Sequence, residues 1–251
     1  MPAPSIAVIG VPGLKEVAPG DNLGELIVQA LGGAGLRAED GDIFVVTQKI
    51  VSKAEGRVVQ LDSIEPSAAA RAWAAAHHKD ARVLEVILRE SRRIVRMDHG
   101  VLIAETRHGF VCANAGVDAS NAPAGTVTLL PEDPDRSAQR LQAYLENAFG
   151  VRLAVVVSDT FGRPWREGVV NVAVGVAGVA PLLDYRGQPD NQGRPMQVTV
   201  VAVADELAAA AELVMQKTRR IPVAFVRGYD YQAAAGSGRE LLRPPEQDLF
   251  R

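Results

Sequence analysis

The feature that most constrains the fold of this chain is a continuous apolar segment, residues 153–157, which contains no polar side chain. A strand with one face in water alternates polar and apolar residues, whereas an uninterrupted apolar run is typical of a strand buried on both faces. We therefore predict an interior strand here. The chain continues from it directly into Ser158, Asp159 and Thr160, so polar side chains follow its carboxyl end.

The remaining segments predict a mixture of helices and strands. Apolar spacing and proline-led starts predict helices, and β-branched or alternating residues predict strands. The predicted helices are residues 23–36, 66–77, 80–94, 137–149 and 205–217. The predicted strands are residues 5–8, 42–47, 197–202 and 223–227, with a hairpin between 101 and 111. Because steady β-α-β alternation is absent, we predict an α+β or irregular mixed α/β fold.

Three other segments are not assigned to a helix or a strand. Residues 162–178 are rich in glycine, residues 188–194 form a polar loop, and residues 236–251 form a loosely attached extension. The length of 251 residues predicts one domain, 1–251, or two closely joined lobes.

Charge and composition exclude several classes of function. Lys and Arg number 27 against 30 Asp and Glu, a net charge of −3, so no overall positive field exists to bind nucleic acid or an anionic membrane. No apolar run reaches the length of about 18 residues that spans a membrane, and the N-terminus lacks the pattern of a signal peptide. The single cysteine, Cys112, predicts a buried inert thiol. These features indicate a cytoplasmic protein.

The sharpest local motif is Ser-Asp-Thr-Phe-Gly-Arg-Pro-Trp-Arg, residues 158–166. It supplies the hard oxygen ligands of Asp159 and Thr160 and the guanidinium groups of Arg163 and Arg166 just after a buried strand. Such groups suit a divalent metal bound to phosphate. The alternative is an Asp and a Thr that cap a turn beside exposed arginines, and the motif alone does not decide between the two.

Three weaker motifs have comparable alternatives. Residues 114–121 combine small residues with Asp118 and Asn121, which suits a ligand contact but also an ordinary turn. Residues 47–53 place Lys53 after a predicted strand, where a lysine neutralises phosphate or is simply solvated. Residues 13–21 read as a plain loop. No P-loop, dinucleotide fingerprint, nucleophile elbow or His-Glu-x-x-His zinc motif is present.

Together these segments resemble the coenzyme F-420-0:L-glutamate ligase family. The matching blocks are residues 13–21, 46–53, 115–121, 158–166, 203–207 and 217–222, in the family's order and over nearly the whole chain. That order is more specific than any single motif.

The resemblance implies GTP as phosphoryl donor, two Mg²⁺ or Mn²⁺ ions, a potassium ion, L-glutamate and F-420-0 as substrates, and a homodimer with the family's own mixed fold. Close backbone approach at the glycine-rich residues 162–178 is compatible with a site near the subunit contact. The chain ends before the flavin-binding second domain of fused relatives, so we expect the stand-alone form without reductase activity.

The resemblance also implies roles for individual residues. It implies metal binding by Asp118, Asp159 and Thr160. It implies nucleotide binding by Leu14, Lys15, Glu16, Val17, Gln48, Lys53, Asn121, Met215, Gln216, Lys217 and Thr218. Charge and position alone assign Arg163 and Arg166 to the acidic substrate.

Two positions depart from the family pattern. Gln48 stands where many members have serine or threonine, and Gln216 stands where many have glycine. These departures leave open a related amide ligase with another acidic acceptor. A different class, a nucleotide-binding protein without turnover, is disfavoured by the intact Asp118, Asp159 and Thr160. The expected chemistry is formation of an acyl phosphate and its capture by an amine, and no residue identifies itself as the base for that amine.

Overall fold

The computed structural model describes residues 3–120 and 123–248. Its helices are α1 (Leu23–Gly33), α2 (Gln48–Ala54), α3 (Ala68–His77), α4 (Ala81–Glu90), α5 (Pro134–Phe149) and α6 (Val203–Met215). Its strands are β1 (Ala7–Gly10), β2 (Ile43–Thr47), β3 (Val58–Gln60), β4 (Ser91–Asp98), β5 (Val101–Thr106), β6 (Val111–Ala113), β7 (Thr126–Thr128), β8 (Ala154–Gly162), β9 (Val169–Ala177), β10 (Leu183–Asp184), β11 (Val200–Val201) and β12 (Val223–Arg227). Four short 3-10 helices complete the described elements: Leu61–Ser63, Asn114–Gly116, Gly238–Leu241 and Pro245–Gln247.

The centre of the fold is a five-stranded sheet in the order β1-β12-β2-β8-β9. Only β2 and β8 pair in parallel, and the other neighbours are antiparallel. Smaller sheets are formed by β4-β5-β6, β3-β7 and β10-β11. This mixture confirms the predicted α+β class. Its specificity to one family stays a prediction.

The central sheet is buried on both faces, as the apolar segment at 153–157 predicts. In β2, Phe44 and Val46 pack into the cluster that includes residues of α1 and α5, whereas Ile43 and Val45 pack into the cluster with α6. Each strand residue therefore meets a helix on its own side, which removes the need for polar alternation. A third cluster joins α3 and α4 to the smaller sheets. The single domain 1–251 stays a prediction.

Helix α5 begins earlier than the predicted residue 137. The Asp133 carboxylate accepts a hydrogen bond from the Arg136 backbone N–H at 3.0 Å, and Pro134 occupies the first turn, where its missing N–H costs nothing. The helix ends at Phe149, and the capping residue Gly150 has a φ of +67°, which suits glycine. Its first turn lies against β9 so closely that a Cβ on Gly175 would lie 2.3 Å from the Pro134 carbonyl oxygen.

The predicted helix at 80–94 is wrong in its last residues. Helix α4 ends at Glu90, and Ser91 begins strand β4, which pairs with β5. The segment that follows contains the β-branched Ile94 and Val95, which favour a strand once a partner strand is present. Pairing in the tertiary structure therefore overrides the helical spacing.

Two predictions around β8 also need correction. Ser158, Asp159 and Thr160 lie inside this strand rather than beyond its end. The glycine-rich segment at 162–178 is mostly strand β9, because its valines pair with β8. The predicted strand at 197–202 is longer than the observed one, because only the two residues of β11 are strand.

The segment that starts at Gly236 is not loosely attached over its first residues. The Asp135 carboxylate accepts a hydrogen bond from the Gly238 N–H at 2.7 Å and another from the Ser237 hydroxyl. Leu242 packs against the core cluster of α1 and α5. Within residues 3–120 and 123–248, no helix is long and apolar enough to cross a membrane.

Candidate active site

The carboxyl ends of three strands meet at one edge of the central sheet. Strand β12 lies antiparallel between β1 and β2, so β1 and β2 run in the same direction, and β8 is parallel to β2. The connection between α6 and β12 reaches the same edge. A cavity of about 640 Å³ lies there, as expected for ligands at the carboxyl ends of parallel strands.

Most of the residues to which the sequence assigns a site role line this cavity. They are Leu14, Lys15, Glu16, Val17, Gln48, Lys53, Asp159, Thr160, Met215, Gln216 and Lys217. They come from four separate stretches of the chain, and the fold brings them together. Their individual roles stay predictions.

Asp159 is the cavity residue whose pKa is shifted furthest from its usual value. Its side chain is partly exposed, yet protein atoms exclude most of the water from its carboxylate. This burial raises the pKa of Asp159 to about 6, against hydrogen bonds from the Thr160 N–H and the Gln48 amide that lower it. The Gln48 contact is long, with 3.5 Å between Nε2 and Oδ1. A desolvated carboxylate with such weak partners favours a cation beside it.

Two buried serine hydroxyls near the cavity differ in their partners. The Ser52 hydroxyl is fully buried and donates to Gln48 Oε1 at 2.9 Å, which directs the other end of that amide toward Asp159. The Ser158 hydroxyl is also buried, but it has no hydrogen-bond partner among the described residues. Ser158 belongs to strand β8 and is among the residues that line the cavity.

Asp118 lies next to the cavity rather than among its lining residues. Its carboxylate is 2.6 Å from the ammonium group of Lys49, which does line the cavity. It also accepts hydrogen bonds from the Ser120 N–H at 2.6 Å and from the Ser120 hydroxyl at 2.9 Å. Burial raises the pKa of Asp118, but the bonds from Lys49 and Ser120 outweigh it, so the net pKa is lowered. Asp118 also raises the pKa of Asp159, so the two carboxylates interact.

A hydrogen-bond network closes the far side of the cavity. Thr160 and Asn171 are cross-strand neighbours, and the Thr160 hydroxyl donates to Asn171 Oδ1 at 2.7 Å. Asn171 Nδ2 donates to Glu212 Oε2 at 3.0 Å. The Lys217 ammonium donates to Thr160 Oγ1 at 2.6 Å and lies 3.2 Å from Glu212 Oε1. Each polar group in this network therefore has a fixed orientation.

The β1–α1 loop forms the opposite wall. Its residues 14–17 follow Gly13, whose φ of +79° favours glycine. Lys53 of α2 is largely buried and its ammonium lies 2.5 Å from the Glu16 carboxylate. A lysine held in this way at the cavity wall is placed to neutralise an anionic ligand.

Other predicted site residues lie elsewhere. Arg163 and Arg166 are exposed in the loop between β8 and β9, where Arg163 donates to the Glu167 carbonyl. Thr218 is exposed and is not among the lining residues. Asn121 lies outside the described residues.

Among the cavity residues without a predicted role, Asn171 and Glu212 also lie outside every motif that the sequence singled out. Asn171 is 2% exposed and lies in the glycine-rich segment at 162–178, to which no strand was assigned, and Glu212 lies in the predicted helix at 205–217. The sequence offered one indication of such a residue, the polar Asn171 among the valines of the segment that forms β9.

The described part of the cavity is rich in cationic side chains. Four lysines and Arg220 line it, against three acidic side chains. An excess of positive charge around a desolvated carboxylate suits a polyanion bound together with a cation. The fold and the cavity define a small-molecule site of the kind found in enzymes.

Comparison with known proteins gives the family. Residues 13–228 match the family model described as F420-0:Gamma-glutamyl ligase. The chain is 49% identical to a protein named Coenzyme F420:L-glutamate ligase from Methanothermobacter thermautotrophicus, over 98% of this chain and 99% of that protein. Proteins of the same name from Methanopyrus kandleri and Methanocaldococcus jannaschii are 47% and 44% identical, over 99% and 92% of this chain and 98% and 90% of their own lengths. The chain therefore belongs to the F420-0:gamma-glutamyl ligase family and is an enzyme of the ligase class.

Proposed function

We propose that this chain is a GTP-dependent ligase that joins L-glutamate to the carboxylate of coenzyme F-420-0 through an acyl phosphate. The observation that supports it most directly is one cavity in which the desolvated Asp159 carboxylate lies among four lysines. The relatives named Coenzyme F420:L-glutamate ligase supply the substrates of the proposal.

A divalent cation fits the side chains of this cavity. The chain offers the carboxylates of Asp118 and Asp159, which interact with each other, and the hydroxyl oxygen of Thr160. Among the described residues, no three His, Cys, Asp or Glu side chains come together as a metal site. Magnesium is commonly held by one or two carboxylates, water and substrate phosphates, so these few protein ligands suffice. When bound, such an ion neutralises charge on the transferred phosphoryl group.

The basic side chains of the cavity are assigned to the triphosphate. Lys53 and Lys217 approach from opposite walls, each held by an acidic neighbour, Glu16 and Glu212. Preorganised cations of this kind stabilise a phosphoryl group during transfer without moving at that moment. A carboxylate is a poor electrophile until it is phosphorylated, which is why amide formation requires the nucleotide.

The acidic acceptor is proposed to extend from the cavity toward the β8–β9 loop. Arg163 and Arg166 lie in that loop, beyond the strand residues Asp159 and Thr160. They are available for contacts with carboxylate or phosphate groups of the acceptor. The second divalent ion, the potassium ion, the homodimer and the cytoplasmic location stay predictions from the sequence.

The proposed reaction is tested by analysis of its product. We expect purified protein, given F-420-0, GTP, magnesium and L-glutamate, to form a product whose mass is increased by at least one glutamate residue. Mass spectrometry reports donor, acceptor and number of glutamates in one measurement. Absence of any product with F-420-0, together with an amide formed on another acidic acceptor, would assign the activity to a different ligase.

A second prediction concerns the nucleotide. Without a metal ion, the desolvated Asp159 carboxylate repels a polyphosphate, and the neighbouring Asp118 is offset only by Lys49, so triphosphate binding should require a divalent ion. GTP should bind more tightly than ATP, as the family resemblance implies. Calorimetric titration with each nucleotide, with and without magnesium, measures both effects. Tight binding without metal would contradict the first expectation, and equal affinities would contradict the second.

A further inference from the structure

Three acidic side chains line the described part of the cavity, and one of them, Glu212, has so far only the role of holding Lys217. Glu16 is 85% exposed and paired with Lys53, and Asp159 is assigned to a cation. Glu212 is the third. Its side chain is 26% exposed, so it is neither buried in the core nor fully solvated.

The position of the Glu212 carboxylate is fixed by one of its two oxygens. Oε2 accepts a hydrogen bond from the amide of Asn171, a residue that is itself 2% exposed. The side-chain oxygen Oδ1 of Asn171 accepts a hydrogen bond from the Thr160 hydroxyl. The Asn171 side-chain amide therefore cannot flip without breaking both contacts. The core of the protein therefore anchors Glu212 at the cavity wall.

Among the described residues, the other oxygen, Oε1, lies 3.2 Å from the ammonium group of Lys217. A carboxylate oxygen has two lone pairs, so Oε1 is able to accept a second cationic N–H group. Lys217 also contacts Thr160, which places Glu212 beside the groups assigned to phosphate and metal. An ammonium group bound at Oε1 would lie next to the phosphoryl group of an activated substrate.

We propose that Glu212 binds the ammonium group of the incoming amino acid and accepts a proton from it. This inference rests on the proposed function. An amino acid arrives with a protonated amine, which has no lone pair with which to attack. Lys217 and the other lysines of the cavity are cationic and cannot accept that proton, whereas the Glu212 carboxylate is anchored and is a proton acceptor.

The amide forms by one proton transfer and one displacement at the acyl carbon. One ammonium proton passes to Glu212, and the neutral amine nitrogen attacks the acyl carbon and forms the carbon–nitrogen bond. The bond from that carbon to the phosphate oxygen breaks. The departing phosphate carries the second proton away as hydrogen phosphate, and the amide remains.

Hydroxylamine separates this role from a purely structural one. It is already neutral at neutral pH, so it captures an acyl phosphate as a hydroxamate without a base. For Glu212→Gln we expect glutamate ligation to fall by about 10²-fold or more, the usual contribution of a positioned base, while hydroxamate formation with F-420-0 and GTP stays close to that of the unchanged protein. Glu212→Asp keeps a carboxylate and should recover part of the glutamate reaction.

The matched control is Glu206→Gln, an exposed glutamate on the same helix, which should leave both reactions unchanged. Thermal unfolding of each variant tests that it remains folded. An equal loss of both reactions in Glu212→Gln would show that Glu212 only positions Lys217. Unchanged glutamate ligation in this variant would exclude any role for Glu212. Either result overturns the inference. If the unchanged protein forms no hydroxamate, the acyl-phosphate mechanism fails first, and the inference fails with it.

Discussion

Asp159→Asn is expected to abolish ligation while the protein remains folded. The substitution keeps the size of the side chain and removes its charge, so the site loses the carboxylate assigned to the cation. A loss of about 10³-fold or more in turnover is the scale expected when a preorganised electrostatic group is removed. Activity assays at saturating magnesium measure the loss, and full activity would refute the assignment.

The stability of this variant has an expected sign. Burial raises the pKa of Asp159 from 3.8 to about 6, so the folded state binds its proton more tightly than the unfolded state does. The stabilisation from this group is present below about pH 4 and is lost as the pH rises through about 6. Asn lacks this titration. In the presence of a chelator, we therefore expect the variant to unfold at pH 7 at a temperature no lower than that of the unchanged protein.

Magnesium provides a second measurement on the same pair of proteins. An ion that binds the folded state raises the unfolding temperature. We expect this increase in the unchanged protein and a much smaller one in Asp159→Asn. An equal increase in both would place the ion elsewhere.

Asp42→Asn is expected to have the opposite effect, a large loss of stability with the chemistry intact. The Asp42 side chain is 1% exposed, and its two oxygens accept hydrogen bonds from the Arg227 guanidinium at 2.8 and 2.7 Å. The variant loses the buried negative charge, but Arg227 is 30% exposed and keeps Glu39 at 2.6 Å, so the expected loss is about 1–3 kcal/mol, the scale of hydrogen bonds to a charged group. Chemical denaturation measures this loss.

The position of Asp42 explains why activity should survive. It directly precedes β2, whereas the cavity lies at the opposite end of that strand. At a temperature where the variant is folded, kcat should match that of the unchanged protein. If Asp42→Asn lost activity at unchanged stability, Asp42 would belong to the site. The two Asp→Asn variants thus separate a functional carboxylate from a structural one.

Local patterns predicted most elements of the fold correctly. The apolar run at 153–157 and the strand at 42–47 are the interior strands β8 and β2, because residues buried on both faces need no alternation. The segment after Glu90 was predicted as helix and is strand β4. Its conformation depends on pairing with β5, which a local pattern does not contain.

The candidate site was predictable to the extent that its residues lie in short motifs. Asp159 and Thr160 lie in one motif next to an apolar run, and Lys53 lies in another motif after a predicted strand. Asn171 and Glu212 belong to no motif. They are 41 positions apart and meet only because β9 and α6 pack against each other.

By itself the sequence determined the class of fold, the interior strands, the family resemblance and most of the cavity residues, because these depend on residue types at short spacing. Only the tertiary structure decided that Asp159 is desolvated, that Arg163 and Arg166 lie outside the cavity wall, and that Asn171 anchors Glu212 beside Lys217. Burial and contacts between distant segments set the charge and orientation of a side chain, and both arise only when the chain has packed.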